Sequence, residues 1–82
     1  MVISVFHTDF QKTFSKIKDN ITKEKLIKQF CKIRENPEVG KPMMYGRRGT
    51  REVYVAPYRL SYVYIKEQDK LVFLDLYHKD EQ

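Results

Sequence analysis

Apolar and polar positions along the chain fall into six regular segments joined by turn chemistry. Val2 to Phe6 is apolar and largely β-branched apart from Ser4, which predicts an opening strand. Thr8-Asp9-Phe10-Gln11 then has the spacing of a capping box, and Phe10, Phe14 and Ile17 recur at i, i+4 and i+7. A short helix is predicted from Thr8 to about Lys18, where Asp19-Asn20 has turn chemistry. A second helix, from about Thr22 to Arg34, places Leu26, Ile27, Phe30, Cys31 and Ile33 on a wide apolar face, with Cys31 read as buried. Asn36-Pro37 stops it, because a residue before proline is steered away from helical dihedrals.

The segment Pro37 to Pro42 has no period and reads as a loop; Met43 to Tyr45 is expected to dock on the core. Gly46-Arg47-Arg48-Gly49 follows as a glycine-bracketed basic turn. Three strands are then predicted at about Thr50 to Val55, Tyr58 to Lys66 and Leu71 to His78. Their connections, Ala56-Pro57 and Glu67 to Lys70, are short enough to force antiparallel neighbours. On the middle strand Tyr58, Leu60, Tyr62 and Tyr64 share one face, while Arg59, Ser61, Val63 and Ile65 share the other. The Leu60 face is expected to meet the helices, leaving Arg59 on the open, concave face beside the last strand. The expected architecture is α+β in the order β-α-α-β-β-β, a two-helix hairpin packed on a mainly antiparallel four-stranded sheet, with residues 1–82 forming one domain.

Composition narrows the partners. Eighty-two residues build one small core, and 41% hydrophobic against 33% charged residues describes a folded globule. A net charge of +5 favours a polyanion such as nucleic acid or an acidic protein. The N-terminus lacks a basic leader with a long apolar core, and no stretch of about 18 apolar residues occurs, so a soluble, unprocessed protein is expected. A lone cysteine, Cys31, forms no internal disulfide, and no Cys/His spacing fits zinc, which points to a reducing cytoplasm and to no metal.

Several local strings sharpen this picture. Gly40-Lys41-Pro42 leading to Gly46 and Gly49, then Tyr58-Arg59-Leu60 on the middle strand, then Tyr77-His78-Lys79 ending the last strand, occur in an order that resembles the RelE/ParE superfamily of toxins of type II toxin–antitoxin systems. The resemblance covers nearly the whole chain. It implies a RelE-like fold, a cognate antitoxin that wraps the toxin, and one of two activities: cleavage of mRNA in the ribosomal A site, or poisoning of DNA gyrase. The RelE/YoeB-like branch is favoured, which implies a ribosome-dependent, metal-independent endoribonuclease with no cofactor. Arg59 matches the arginine that stabilises charge on the scissile phosphate. His78 matches a histidine acid of YoeB-like members, Lys79 a position where RelE carries an arginine, and Arg51 lies on the strand of the paired lysines of RelE. The chain departs from the pattern at Met43, where YoeB-like members carry a glutamate base, and it ends at Gln82 before the late tyrosine of RelE. Acid–base work then falls to Tyr77, His78 or Glu52.

Metal-free RNA cleavage needs a proton acceptor for the 2′-hydroxyl, cations for the charge building on phosphorus, and a proton donor for the leaving 5′-oxygen. Arg59, Arg51 and Lys79 are the candidate cations and His78 the candidate proton carrier, while Arg47, Arg48 and Tyr77 are candidate RNA contacts. On the residues alone, pairing of Arg59 with Glu52 or Asp75 across the sheet is the favoured reading, and the resemblance reverses that order. His78 near a chain end is equally well read as a solvated side chain, His7 as a cap, and the remaining tyrosines as packing residues. The alternatives are a ParE-like gyrase inhibitor and a catalytically inactive antitoxin-binding module.

Overall fold

A computed structural model describes residues 2–42 and 49–78 of the chain. The elements are β1 (Ile3–Phe6), α1 (Thr8–Lys16), α2 (Asn20–Glu35), β2 (Lys41–Pro42), β3 (Thr50–Val55), β4 (Tyr58–Ile65), a 3-10 turn (Lys66–Gln68) and β5 (Lys70–His78). The expected docking of Met43 to Tyr45, the Arg47-Arg48 turn and Lys79 lie outside the described residues.

The strands form one sheet in the order β1-β5-β4-β3-β2. The meander β3-β4-β5 is antiparallel as expected, and β1 joins β5 in parallel, with Ile3 opposite Lys70 and Phe6 opposite Phe73. The expected four-stranded sheet is therefore five-stranded. Its extra member, β2, is a two-residue pairing of Lys41 and Pro42 with Glu52 and Arg51, too short to leave a period in the sequence.

Both helices start one residue after a polar cap. His7 caps α1, its Nδ1 accepting from the Asp9 amide at 3.1 Å, in place of the Thr8 capping box; Gln11 Nε2 instead donates to the Phe6 carbonyl at 2.7 Å. Asp19 caps α2, accepting from the Ile21 amide at 3.1 Å and from the Thr22 hydroxyl at 2.7 Å. The Thr22 hydroxyl first, then the Ile21 amide, hold the Asp19 carboxyl below its ordinary range.

Phe10 and Ile17 from the first helical segment, Leu26 and Ile33 from α2, and Val55, Leu60, Tyr62, Leu71, Phe73 and Leu76 from the sheet make the core. Phe6 stacks on Phe73 at 4.8 Å between centroids, and Phe30 leans on the same ring at 5.2 Å. The apolar face of α2 is narrower than its sequence suggests: Ile27 is half exposed and Cys31 is exposed, because a single helix stripe of Leu26 and Ile33 meets the sheet.

A pin fixes the stretch between α2 and β2. Tyr62, fully buried on the helix side of β4, donates its hydroxyl to the Pro37 carbonyl at 2.7 Å and accepts from the Gly40 amide at 3.0 Å. Gly40 is required by this approach, since a Cβ there would sit 2.8 Å from the Tyr62 hydroxyl.

Candidate functional site

The tight Val55-Ala56-Pro57-Tyr58 connection sets the register from which the site is built. Tyr54 faces Arg59 across β3 and β4, Arg59 faces Tyr77 across β4 and β5, and Glu52 lies opposite Ser61. Alternation along β4 puts Leu60 and Tyr62 against the helices, so Arg59 and its neighbours Glu52, Tyr54, Asp75 and Tyr77 share the open face.

Three of these side chains close on one another. Arg59 Nη1 donates to Glu52 Oε1 at 2.8 Å, and the Tyr77 hydroxyl donates to Glu52 Oε2 at 2.5 Å. The guanidinium also lies 5.7 Å from the centre of the Tyr54 ring, within cation–π range. The Glu52 hydrogen bond, opposed by partial burial, raises the pKa of Arg59 above its ordinary value, so the guanidinium is a permanent cation. Its Nε is buried and meets no acceptor among the described residues. Beside Glu52 and Arg59 opens a cleft of about 480 Å³, walled also by Val39, Lys41, Pro42 and Tyr54.

The other candidates are elsewhere. Arg51 alternates onto the helix side of β3, opposite Tyr62, where Nη1 donates to the Glu38 carbonyl at 3.0 Å and to the Gly40 carbonyl at 2.8 Å. Its guanidinium braces the same loop that Tyr62 pins. His78 lies opposite Tyr58, its ring edge-on to the tyrosine at 5.5 Å, on the side of the sheet away from Arg59. The cause is a bulge: Ser61 faces Asp75 while Tyr62 faces Phe73, so Leu74 is skipped and the sidedness of β5 inverts there. Strict alternation from Phe73 would have set His78 beside Arg59 and Tyr77 against the helices; the extra residue exchanges them. Arg51 and His78 therefore lie apart from Arg59, which meets Tyr77 and Glu52, two of the side chains expected to carry acid–base work. Lys79, Arg47 and Arg48 fall outside the described residues.

Tyr54, read from the sequence as packing, is exposed on this face. Its signal was the hairpin register, which pairs it with Arg59. Among the described residues no cluster of His, Cys, Asp or Glu side chains is grouped to hold a metal ion. No helix among them is long and apolar enough to cross a membrane.

A helical hairpin thus packs on one side of the meander sheet, and an arginine-centred polar group lies on the other. The family model for the ParE toxin of the type II toxin–antitoxin system, parDE, matches residues 5–82, and the chain belongs to that family. The solved structures agree on the fold. A chain of the RelBE2 toxin–antitoxin complex from Mycobacterium tuberculosis is 26% identical, with a TM-score of 0.81 over 94% of this chain and 96% of that one. The isolated RelE toxin of E. coli, 19% identical, superposes with a TM-score of 0.81 over 95% and 84%. The YoeB/ParE toxin from Agrobacterium tumefaciens, 14% identical, superposes with a TM-score of 0.84 over 94% and 98%. No curated protein matches the chain.

Proposed function

We propose that this toxin stops translation by cutting mRNA presented by the ribosome, using the open face of its sheet. The observation that carries the reading is the convergence of Arg59, Glu52 and Tyr77 at 2.8 and 2.5 Å on the face of the sheet away from the helices. In that chemistry Glu52 accepts the proton of the 2′-hydroxyl as its oxygen attacks phosphorus. Arg59 balances the charge that accumulates on the phosphoryl oxygens, and Tyr77 protonates the departing 5′-oxygen. The P–O5′ bond breaks as the P–O2′ bond forms, leaving a cyclic phosphate and a free 5′-hydroxyl.

The M. tuberculosis relative was solved as a toxin–antitoxin complex, and E. coli RelE was solved within an intact RelBE complex as well as alone, which supports a cognate antitoxin for this chain too. A net charge of +5 suits an acidic partner of that kind. The site of action is then the cytoplasm, where ribosomes and the antitoxin meet.

A second reading, inhibition of DNA gyrase by binding, is favoured by one specific observation: Arg51 and His78 are committed to the helix side of the sheet and do not join Arg59. In-vitro translation of a defined message, with cleavage sites read by primer extension, separates the two. The nuclease reading expects cuts that require ribosomes, vanish in Arg59→Ala, weaken strongly in Tyr77→Phe and persist in His78→Ala. An uncut message with normal translation, together with failure of a gyrase supercoiling reaction, would establish the second reading instead.

A further inference from the structure

We propose that Glu52 is an internal competitor for Arg59: its carboxylate fills the seat of a phosphodiester, so RNA affinity at the open face is set by exchange of Glu52 for phosphate. The inference rests on the reading of that face as an RNA surface, and it adds a residue that governs how strongly the surface binds.

The geometry of the contact carries it. Glu52 is the more buried partner, its side chain 10% exposed against 34% for Arg59, so the acid is seated in the sheet and the base reaches over it. Both carboxylate oxygens are engaged, Oε1 by the guanidinium and Oε2 by the Tyr77 hydroxyl. A carboxylate held from two sides is preorganised as a counter-ion, and it offsets the charge of Arg59 on a protein whose net charge is +5. An arriving phosphate meets a neutralised arginine.

The contact is also incomplete from the arginine's side. Glu52 takes Nη1, while Nε is buried without an acceptor among the described residues. A phosphate has oxygens in the geometry to span two nitrogens of a guanidinium side-on, which a carboxylate held at one nitrogen does not do. Exchange therefore satisfies a donor that the resting arrangement leaves empty. The cleft beside Glu52 and Arg59, about 480 Å³, gives the incoming group a place to enter. A surface closed in this way discriminates by local chemistry: scattered anions do not displace Glu52, and a nucleic-acid backbone held by neighbouring contacts does.

The test is fluorescence anisotropy of a labelled single-stranded RNA oligonucleotide with the full-length chain, across a salt series. The proteins are the unmodified chain, Glu52→Gln, Arg59→Ala and the double substitution. Removing the competing charge while keeping the side-chain shape is expected to tighten binding about tenfold, and to steepen the dependence of log affinity on log salt by about 0.7 as one more phosphate contact forms. That gain disappears in the Arg59→Ala background, because the seat it opens no longer exists. Tyr77→Phe, which leaves all charges in place but unclamps Glu52, tightens binding about two- to threefold and guards against an unfolded Glu52→Gln protein.

A gain confined to proteins that keep Arg59 supports the proposal even where Arg59→Ala alone has no effect, since Glu52 then masks the arginine completely. If Arg59→Ala weakens binding while Glu52→Gln and Tyr77→Phe leave it unchanged, the proposal falls and the RNA surface stands. An equal gain with and without Arg59 reports only total charge and overturns the proposal and the Arg59-centred RNA surface together.

Discussion

Replacing Tyr62 by phenylalanine removes one oxygen and unpins the approach to β2. The hydroxyl gives a hydrogen bond to the Pro37 carbonyl at 2.7 Å and takes one from the buried Gly40 amide at 3.0 Å. The first loss costs about 1 kcal/mol net, and the second leaves a buried amide without a partner, which costs about 1–3 kcal/mol more. The ring stays, so no cavity forms. A total of about 2–4 kcal/mol, on a small domain whose whole stability is about 5–15 kcal/mol, lowers the melting temperature by roughly 10–25 °C. Urea unfolding followed by far-UV circular dichroism measures it, with the m-value expected to stay unchanged.

The same substitution has a signature in pH. Burial, ahead of the opposing Gly40 amide and the nearby Arg51, raises the pKa of the Tyr62 phenol above the usual value near 10. Above pH about 10 the unfolded chain releases this proton before the folded one does, so the native protein loses stability as pH rises further. The phenylalanine variant lacks that group. The stability gap between the two proteins should therefore hold below about pH 10 and narrow as pH rises above it. A destabilisation below about 0.5 kcal/mol, or a gap that widens in alkali, would refute the pinning argument.

Three further outcomes follow from the same contacts. Gly40→Ala drives a methyl to 2.8 Å from the Tyr62 hydroxyl and 2.9 Å from its ring, and should destabilise by about 1–3 kcal/mol in the same urea experiment. Arg51→Met, which keeps most of the stem but not the donors to the Glu38 and Gly40 carbonyls, should lose about 1–2 kcal/mol of stability while RNA binding changes little; a large, selective loss of binding would return Arg51 to the proposed phosphate site. Asp19→Asn should flatten the acid limb of stability: the depressed carboxyl of Asp19 contributes above its unfolded pKa near 3.9, and that contribution is lost as pH falls through the lower folded value. Thermal melts between about pH 2 and pH 6 read this directly, and identical slopes in the two proteins would contradict it.

Much of this molecule is legible in its period. The meander was readable because Tyr58, Leu60 and Tyr62 alternate with Arg59, Ser61 and Val63 between two turns too short for anything but antiparallel neighbours. That alternation also predicts Arg59 on the open face, where it lies. The helices were legible to within about two residues because Phe10 and Phe14, and Leu26 and Ile33, recur at helical spacing. The pairing of Arg59 with Glu52 was open on the residues alone, as one of two cross-sheet partners, and the hairpin register selects it.

What lay beyond the sequence has a common cause: it depends on contacts between segments far apart in the chain. Strand β2 exists because Tyr62 and Arg51, 22 and 11 residues from Gly40, hold the chain beside β3. The exposure of Cys31 and Ile27 follows from how α2 is turned on the sheet, which its own apolar pattern leaves open. The bulge at Leu74 matters most for the candidate site. One unpaired residue in β5 inverts the face of everything after it, bringing Tyr77 to Arg59 and taking His78 away. Local periodicity determines which residues alternate, but the register between strands is a property of the packed sheet, and a one-residue slip in it decides which side chains meet at the site.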